Sequence, residues 1–242
     1  TDASIKGVEA LVRWRHGARG IINPEEFLPL AEETGLILQI DEYVQKQAFH
    51  DVAAWRNAGL GDLLLSVNLT AMQIEEENFV ERFTEALETS GLAAEYVKLE
   101  ITENTLMQDM EKIIPKLKQV QGLGVRIAID DFGTGYSSLA YLQQFPINTL
   151  KIDRSFVSDI RADDTGASIV DAIVSMARGL KLDLVAEGVE NPTQLRYLKE
   201  QGCEEVQGYI FSPAVPASEL AELLKDNGFE QMLAMAPVAV NA

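Results

Sequence analysis

Histidine and cysteine are scarce in these 242 residues: His16 and His50 are the only histidines, and Cys203 is the only cysteine. A lone thiol excludes an intrachain disulfide and fits a reducing compartment. Two histidines argue against a multi-histidine zinc site and against catalysis built on a histidine base. Positive charge is also in short supply, with 20 Lys and Arg against 38 Asp and Glu and a formal net charge of -18. A nucleic-acid surface needs clustered cations, so no nucleic-acid polymer is expected as a partner. No apolar run approaches the roughly 18–20 residues that span a bilayer, and no basic-then-apolar leader opens the chain. The segment therefore reads as a soluble, cytoplasmic domain, whether or not its parent protein is tethered to a membrane.

Strand-like and helix-like patterns are abundant and alternate. From residue 63 the β-rich runs are "LLLSVNL" (63–69), "YVKLEIT" (96–102), "VRIAID" (125–130), "NTLKID" (148–153), "LDLVAEG" (182–188) and "EEVQGY" (204–209). Helical patterns lie between them near 75–90, 109–122, 164–180, 191–201 and 216–226, with a shorter one near 137–144. Strand, helix, strand in repetition means parallel pairing with crossover helices. Upstream lie one more strand, "IKGVEALVRW" (5–14), and two helices. The first helix has Asn23 as N-cap, Pro24 in the first turn, Glu25 and Glu26 at its positive end and Gly35 past its last turn. Phe27, Leu30 and Ala31 form its expected buried face, and the second helix is expected over about 41–58. Seven strands with intervening helices point to a (β/α)8, TIM-like barrel over residues 1–230, with an open doubly wound sheet as the competitor. Residues 231–242 read as a tail or linker.

In such a barrel the chemistry sits at the C-terminal strand ends. Each run here ends near a polar group that a structural strand would not need: Asn68, Glu100, Asp130 with Asp131, Lys151, Glu187 and Gln207, joined by Glu9 and Arg13 from the first strand. One such residue is ordinary; a set of seven strands is not. Asp130 and Asp131 are adjacent, and side chains on a regular strand alternate faces, so both reach one site only if the strand bends or ends there. Two unit charges about 4 Å apart repel by about 4 kcal/mol at an effective dielectric near 20. Five carboxylates at one mouth exceed what one Lys and one Arg can neutralise, but divalent cations can do so. The donors are all oxygen, which selects Mg²⁺, Mn²⁺ or Ca²⁺ over zinc. Two ions sharing a bridging Asp would suit in-line attack on a phosphate ester. The same residues also admit an enolase-like site with one metal and Lys151 as the base. "GTGYSS" is neither a P-loop, since no Gly-Lys-Ser/Thr follows, nor a nucleophile elbow, since Leu139 stands where glycine is required.

The segments "EALVRW", "FLPLAEETGLI", "VNLT", "LEITEN", "IDDFGTGYSSLAYL", "LKIDRSFV", "VAEGVEN" and "GCEEVQGYIFS" follow one another along nearly the whole chain. In that order they resemble the EAL-type cyclic di-GMP phosphodiesterases of bacterial signalling. The resemblance implies a variant barrel with an early antiparallel strand, and hydrolysis of cyclic di-GMP to linear pGpG by two-metal activation of water, with two Mg²⁺ or Mn²⁺ ions as cofactors. Glu9, Asn68, Glu100 and Asp130 would hold one ion, and Asp130, Asp131 and Glu187 the other. Lys151 would position or help activate the attacking water, with Glu187 as its catalytic companion; Arg13, Gln207 and Glu190 match substrate-binding positions. Glu103 matches the residue that anchors the "DFGTGYSS" loop. A homodimer through the 131–138 region and a parent protein with sensory or other signalling domains are further implications. Relatives that have lost ligands serve instead as cyclic di-GMP receptors or scaffolds. Two departures stand out. Only eight residues precede Glu9, where the family carries a further strand with a Gln-Pro-Ile-like segment, so an N-terminally shortened domain is expected; and "FSPAVP" sets Pro213 one place early.

Overall fold

The computed structural model describes residues 4–135, 142–160 and 168–225. Seven strands make one curled, parallel sheet, in the order β1 (Gly7–Ala10), β4 (Leu64–Asn68), β5 (Val97–Thr102), β6 (Arg126–Phe132), β7 (Thr149–Ile152), β8 (Asp183–Ala186) and β9 (Glu205–Val206). The early antiparallel pairing is a separate hairpin of β2 (Trp14–His16) and β3 (Gly20–Ile22). Curling brings the two ends of the sheet together: Gln207, just past β9, donates from Nε2 to Glu9 Oε2 on β1 at 2.6 Å. The architecture is the (β/α) barrel-like fold expected from the alternation of patterns.

The two faces of each strand explain that curl. On β5, Val97, Leu99 and Ile101 are fully buried, packed in one apolar cluster with Phe83, Leu117 and Val120 of the flanking helices. Lys98 and Glu100 alternate with them, and Glu100 reaches Lys151 on β7, so this second face looks into the barrel. Ile127 and Ile129 on β6 repeat the outward pattern. The helices supplying the outer layer include α1 (Pro24–Thr34), α2 (Ile37–Asn57), α4 (Phe79–Ser90), α6 (Met110–Gly122), α8 (Ser168–Leu180), α9 (Pro192–Glu200) and α10 (Ala217–Lys225). Short α3 (Ala71–Glu75), α5 (Glu103–Gln108) and α7 (Arg154–Ser158) follow β4, β5 and β7.

Several elements differ from the sequence reading. The strand expected over 5–14 divides into β1 and β2. Gly35 closes α1 in the left-handed region as expected, but the Asn23 side chain makes no capping bond. On the expected buried face of α1, Phe27 and Ala31 are buried while Leu30 is 62% exposed. The second helix begins at Ile37, whose side chain is buried, four residues before the expected start. The helix expected over 75–90 is two helices, because Glu76 leaves helical geometry at ψ 131°. Residues 137–141 of the short predicted helix, residues 164–167 of the next one and the 231–242 tail lie outside the described residues. Among the described residues no helix is long and apolar enough to cross a membrane.

Candidate active site

Lys151 is the centre of the site. It lies on β7 with its side chain 1% exposed, and its Nζ pairs with Glu100 on β5 and Glu187 just past β8. Asp130 Oδ1 on β6 is 3.0 Å away and Glu9 Oε2 on β1 is 4.0 Å away. One ammonium therefore faces four carboxylates drawn from residues 9 to 187 of the chain. Burial works against its charge, but Glu100, Glu9, Asp130 and Glu187 outweigh burial and hold the lysine well above its ordinary pKa. The four acids thus favour the ammonium form of Lys151.

The acids feel the opposite balance. Burial pushes Glu100 up, Lys151 pulls it down, and Glu9 and Asp130 push it up again. Glu187 is raised to about 8, first by burial and then by Asp130 and Glu9, with Lys151 opposing. The surplus negative charge is what a divalent cation would remove. Oxygens of Glu9, Glu100 and Glu187 come within 4.8 Å of one another, as do those of Asp130, Asp131 and Glu187. Glu187 belongs to both groups. An all-oxygen donor set with this excess charge fits Mg²⁺ or Mn²⁺.

Backbone bonds extend the sheet beyond the strands at this end of the barrel. Leu69 N donates to Glu100 O at 2.8 Å, Glu187 N to Ile152 O at 3.1 Å and Gln207 N to Ala186 O at 2.8 Å, carrying the ladder one residue past three strand ends. Asn68 Nδ2 donates to Glu9 Oε1 at 3.1 Å, which commits the amide nitrogen to the acid and leaves its carbonyl oxygen as the group able to ligate a cation.

The adjacent pair Asp130 and Asp131 is accommodated by a bend, not by the end of the strand. β6 continues to Phe132, but its register against β7 slips between Ile129 and Phe132, and Asp131 has φ 52°. The bulge re-aims one side chain so that consecutive acids serve one site. Asp131 N donates to Asp130 Oδ1 at 3.0 Å. Burial, Asp130 and Asp153 together raise Asp131 to about 6.

Asp153 was missed in the sequence reading. Burial opposes its charge, yet bonds from Ser155 and from Asp131 keep it below the usual carboxylate range. Its signal was present in "LKID": two residues past Lys151, it falls on the same side of the strand direction. Glu103, at the start of α5, is 2% exposed and accepts from Gly133 N through Oε2 at 3.0 Å, which ties the segment after the bulge. Gly133 itself has φ 95°, and a Cβ there would meet Phe156 at 2.9 Å.

The fold brings together Glu9, Asn68, Glu100, Asp130, Asp131, Lys151, Glu187 and Gln207. It does not bring Arg13 or Glu190 into that cluster. Arg13 is exposed and donates to the neighbouring Val12 carbonyl at 2.7 Å. Glu190 is exposed, and its backbone N–H is held by Gln194 Oε1 at 2.8 Å.

The family model for the EAL domain matches residues 1–214, and the chain belongs to that family. The cyclic di-GMP phosphodiesterase NbdA of Pseudomonas aeruginosa is 45% identical over 229 residues, covering 95% of this chain and 29% of that protein. The bifunctional diguanylate cyclase and cyclic di-GMP phosphodiesterase MucR of the same organism is 44% identical, covering 88% of this chain and 31% of that protein. A solved structure of the PaMucR phosphodiesterase in complex with c-di-GMP superposes with a TM-score of 0.85 at 44% identity, covering 88% of this chain and 87% of that one. The chain thus spans about three tenths of the length of these curated relatives.

Proposed function

We propose that this domain hydrolyses one phosphodiester bond of cyclic di-GMP, giving linear pGpG, with two Mg²⁺ or Mn²⁺ ions as cofactors. The observation that carries the reading is the cluster of four carboxylates around Lys151 at the C-terminal strand ends, with Asp131 brought alongside by the bulge. Glu9, Asn68, Glu100 and Asp130 would hold one ion; Asp130, Asp131 and Glu187 would hold the other. When bound, these ions supply electrostatic stabilisation of the phosphoryl oxygens and lower the pKa of water. NbdA and MucR are named as cyclic di-GMP phosphodiesterases, and the likeness to both supports the substrate assignment.

The chain's own residues then divide the work. Lys151, whose four acid partners favour the ammonium, would donate to the attacking water and balance charge as the oxyanion forms. Glu187, raised by its surroundings, belongs to the same catalytic centre. Arg13, with no ion pair among the described residues, is available to hold a substrate phosphate, and Glu190 and Gln207 would complete the substrate contacts. Glu103 anchors the segment leading into the 131–138 region, through which we propose homodimerisation. Sensory or other signalling domains in the parent protein would set its activity.

Incubation with cyclic di-GMP and Mn²⁺, followed by chromatographic separation of the nucleotides, tests the reading. Formation of pGpG, abolished by a chelator, is expected. Binding without product would leave a receptor module instead, and neither binding nor product would remove cyclic di-GMP as the ligand.

A further inference from the structure

Asn68 is the one neutral member of the proposed ligand set, so no charge attraction of its own draws it to the site. Its position depends on the backbone that follows it. Leu69 is tied to β5, and Thr70 is the N-cap of α3, accepting from Gln73 N at 3.4 Å. The Thr70 hydroxyl proton goes elsewhere: Oγ1 donates to Asp41 Oδ2 on α2 at 2.5 Å. Asp41 is 29 positions away in the chain and lies outside the carboxylate cluster. Burial is the main influence raising Asp41 to about 6, a cost that a surface carboxylate would escape.

The rest of α3 is held as firmly. Gln45 and Gln73 exchange two side-chain bonds, Nε2 to Oε1 in both directions, at 2.8 and 2.9 Å. Lys116 on α6 donates to the carbonyls of Ile74, Glu75 and Glu76 at 2.7, 3.0 and 2.8 Å, closing the C-terminal end. A five-residue helix rarely sustains itself, since nucleation is unfavourable and few internal bonds offset it. Here three neighbouring side-chain clasps do that work, and the first of them is two residues from Asn68.

We infer that Asp41 and Thr70 are positioning residues for the metal site: the Asp41–Thr70 bond sets the exit of β4 and so the place of the Asn68 carbonyl. The inference rests on the phosphodiesterase reading, because it gives Asn68 its ligand role. Neither residue touches the substrate or the reacting atoms. What they fix is the fit of one neutral ligand, and a cation site tolerates little misplacement of its donors.

Mn²⁺ affinity measured by calorimetry without substrate, beside the Mn²⁺ dependence of turnover, separates this role from simple stabilisation. Asp41→Ala and Thr70→Val are each expected to weaken one of the two Mn²⁺ sites by about tenfold, the lower edge of what loss of an outer-shell partner typically costs, with kcat recovering as Mn²⁺ is raised to saturation. Asp41→Asn and Thr70→Ser, which keep an acceptor and a hydroxyl, are expected to lose much less than the roughly tenfold lower edge of the outer-shell range. Unchanged Mn²⁺ affinity in both disruptive variants overturns the inference, whether or not their melting temperatures fall. Should Asp41→Ala fail to fold, Thr70→Val against Thr70→Ser decides in the same way. A parent domain that binds no Mn²⁺ sinks the metal reading and this inference together, whereas normal binding in the parent and the variants alike sinks the inference alone.

Discussion

Lys151 is the residue around which the acidic cluster is organised. With its side chain 1% exposed, it is the counter-ion for four acids, and those acids have no other cation among their described partners. Lys151→Met leaves them facing each other, so in metal-free buffer a loss of about 3–5 kcal/mol is expected in denaturant unfolding. Adding millimolar Mg²⁺ should recover much of that loss, while turnover remains depressed more than substrate affinity. An effect confined to affinity would contradict the water-orienting role. Asp41 yields a different test. Its carboxyl moves from 3.8 to about 6 on folding, so between those values the folded state holds more protons than the unfolded one. Stability from this group therefore falls as pH rises from about 4 to about 6, and a cost of at most about 3 kcal/mol persists above that. Glu32 is the charged neighbour that adds to it. Asp41→Asn should flatten this part of the curve, gaining on the parent between pH 4 and 7 in thermal melts; parallel curves would show that Asp41 is not buried as described.

At the scale of elements, the β6 bulge and the segment it launches are the critical pieces. Gly133 has φ 95° and no room for a side chain, and its N–H is held by buried Glu103. Glu103→Ala removes that acceptor from a part-buried bond whose donor residue is exposed, which costs about 1 kcal/mol. Because Asp131 is two residues from Gly133, the same variant should lose Mn²⁺ affinity as well as melting temperature; a loss of melting temperature alone would confine Glu103 to a structural role. The bulge was foreseeable only in part from sequence. "IDDFG" shows that two adjacent acids demand a break in alternation, but a strand end and a bulge satisfy that demand equally, and the register against β7 decides between them. Strands were legible because an apolar outer face and a polar inner end recur at a fixed spacing. β2, β3 and the three short helices were not, since a few residues carry too little periodicity and owe their form to contacts made elsewhere, as the Thr70 and Lys116 bonds show for α3. Asp153 was overlooked for a related reason: it doubles as the N-cap of α7, an ordinary use for aspartate, and only its approach to Asp131 gives it a place in the site.

For the whole molecule, the barrel can be seen as a device for collecting charge. Each strand end contributes a polar group that would be solvated in isolation, and curvature turns them towards one mouth, with Gln207 and Glu9 joining the first and last strands. On the two-cation reading such a mouth gains stability from bound cations. Mg²⁺ or Mn²⁺ at about 100 times its dissociation constant should add about 2.7 kcal/mol. For a domain of this size that corresponds to roughly 5–10 °C in melting temperature. Glu9→Ala or Asp130→Ala should abolish turnover while the far-ultraviolet spectrum stays that of the parent domain. With a formal charge of -18, the proposed dianionic substrate would be repelled unless cations reverse the local field, so its binding should depend on metal more steeply than on ionic strength. The most direct measurement is anomalous diffraction from crystals soaked with Mn²⁺ and cyclic di-GMP. Two ions are expected, both within bonding distance of Asp130, one also on Glu9, Asn68 and Glu100 and the other on Asp131 and Glu187. Crystals in which nucleotide is bound while the carboxylates hold no ion and remain paired with Lys151 would contradict the two-cation site.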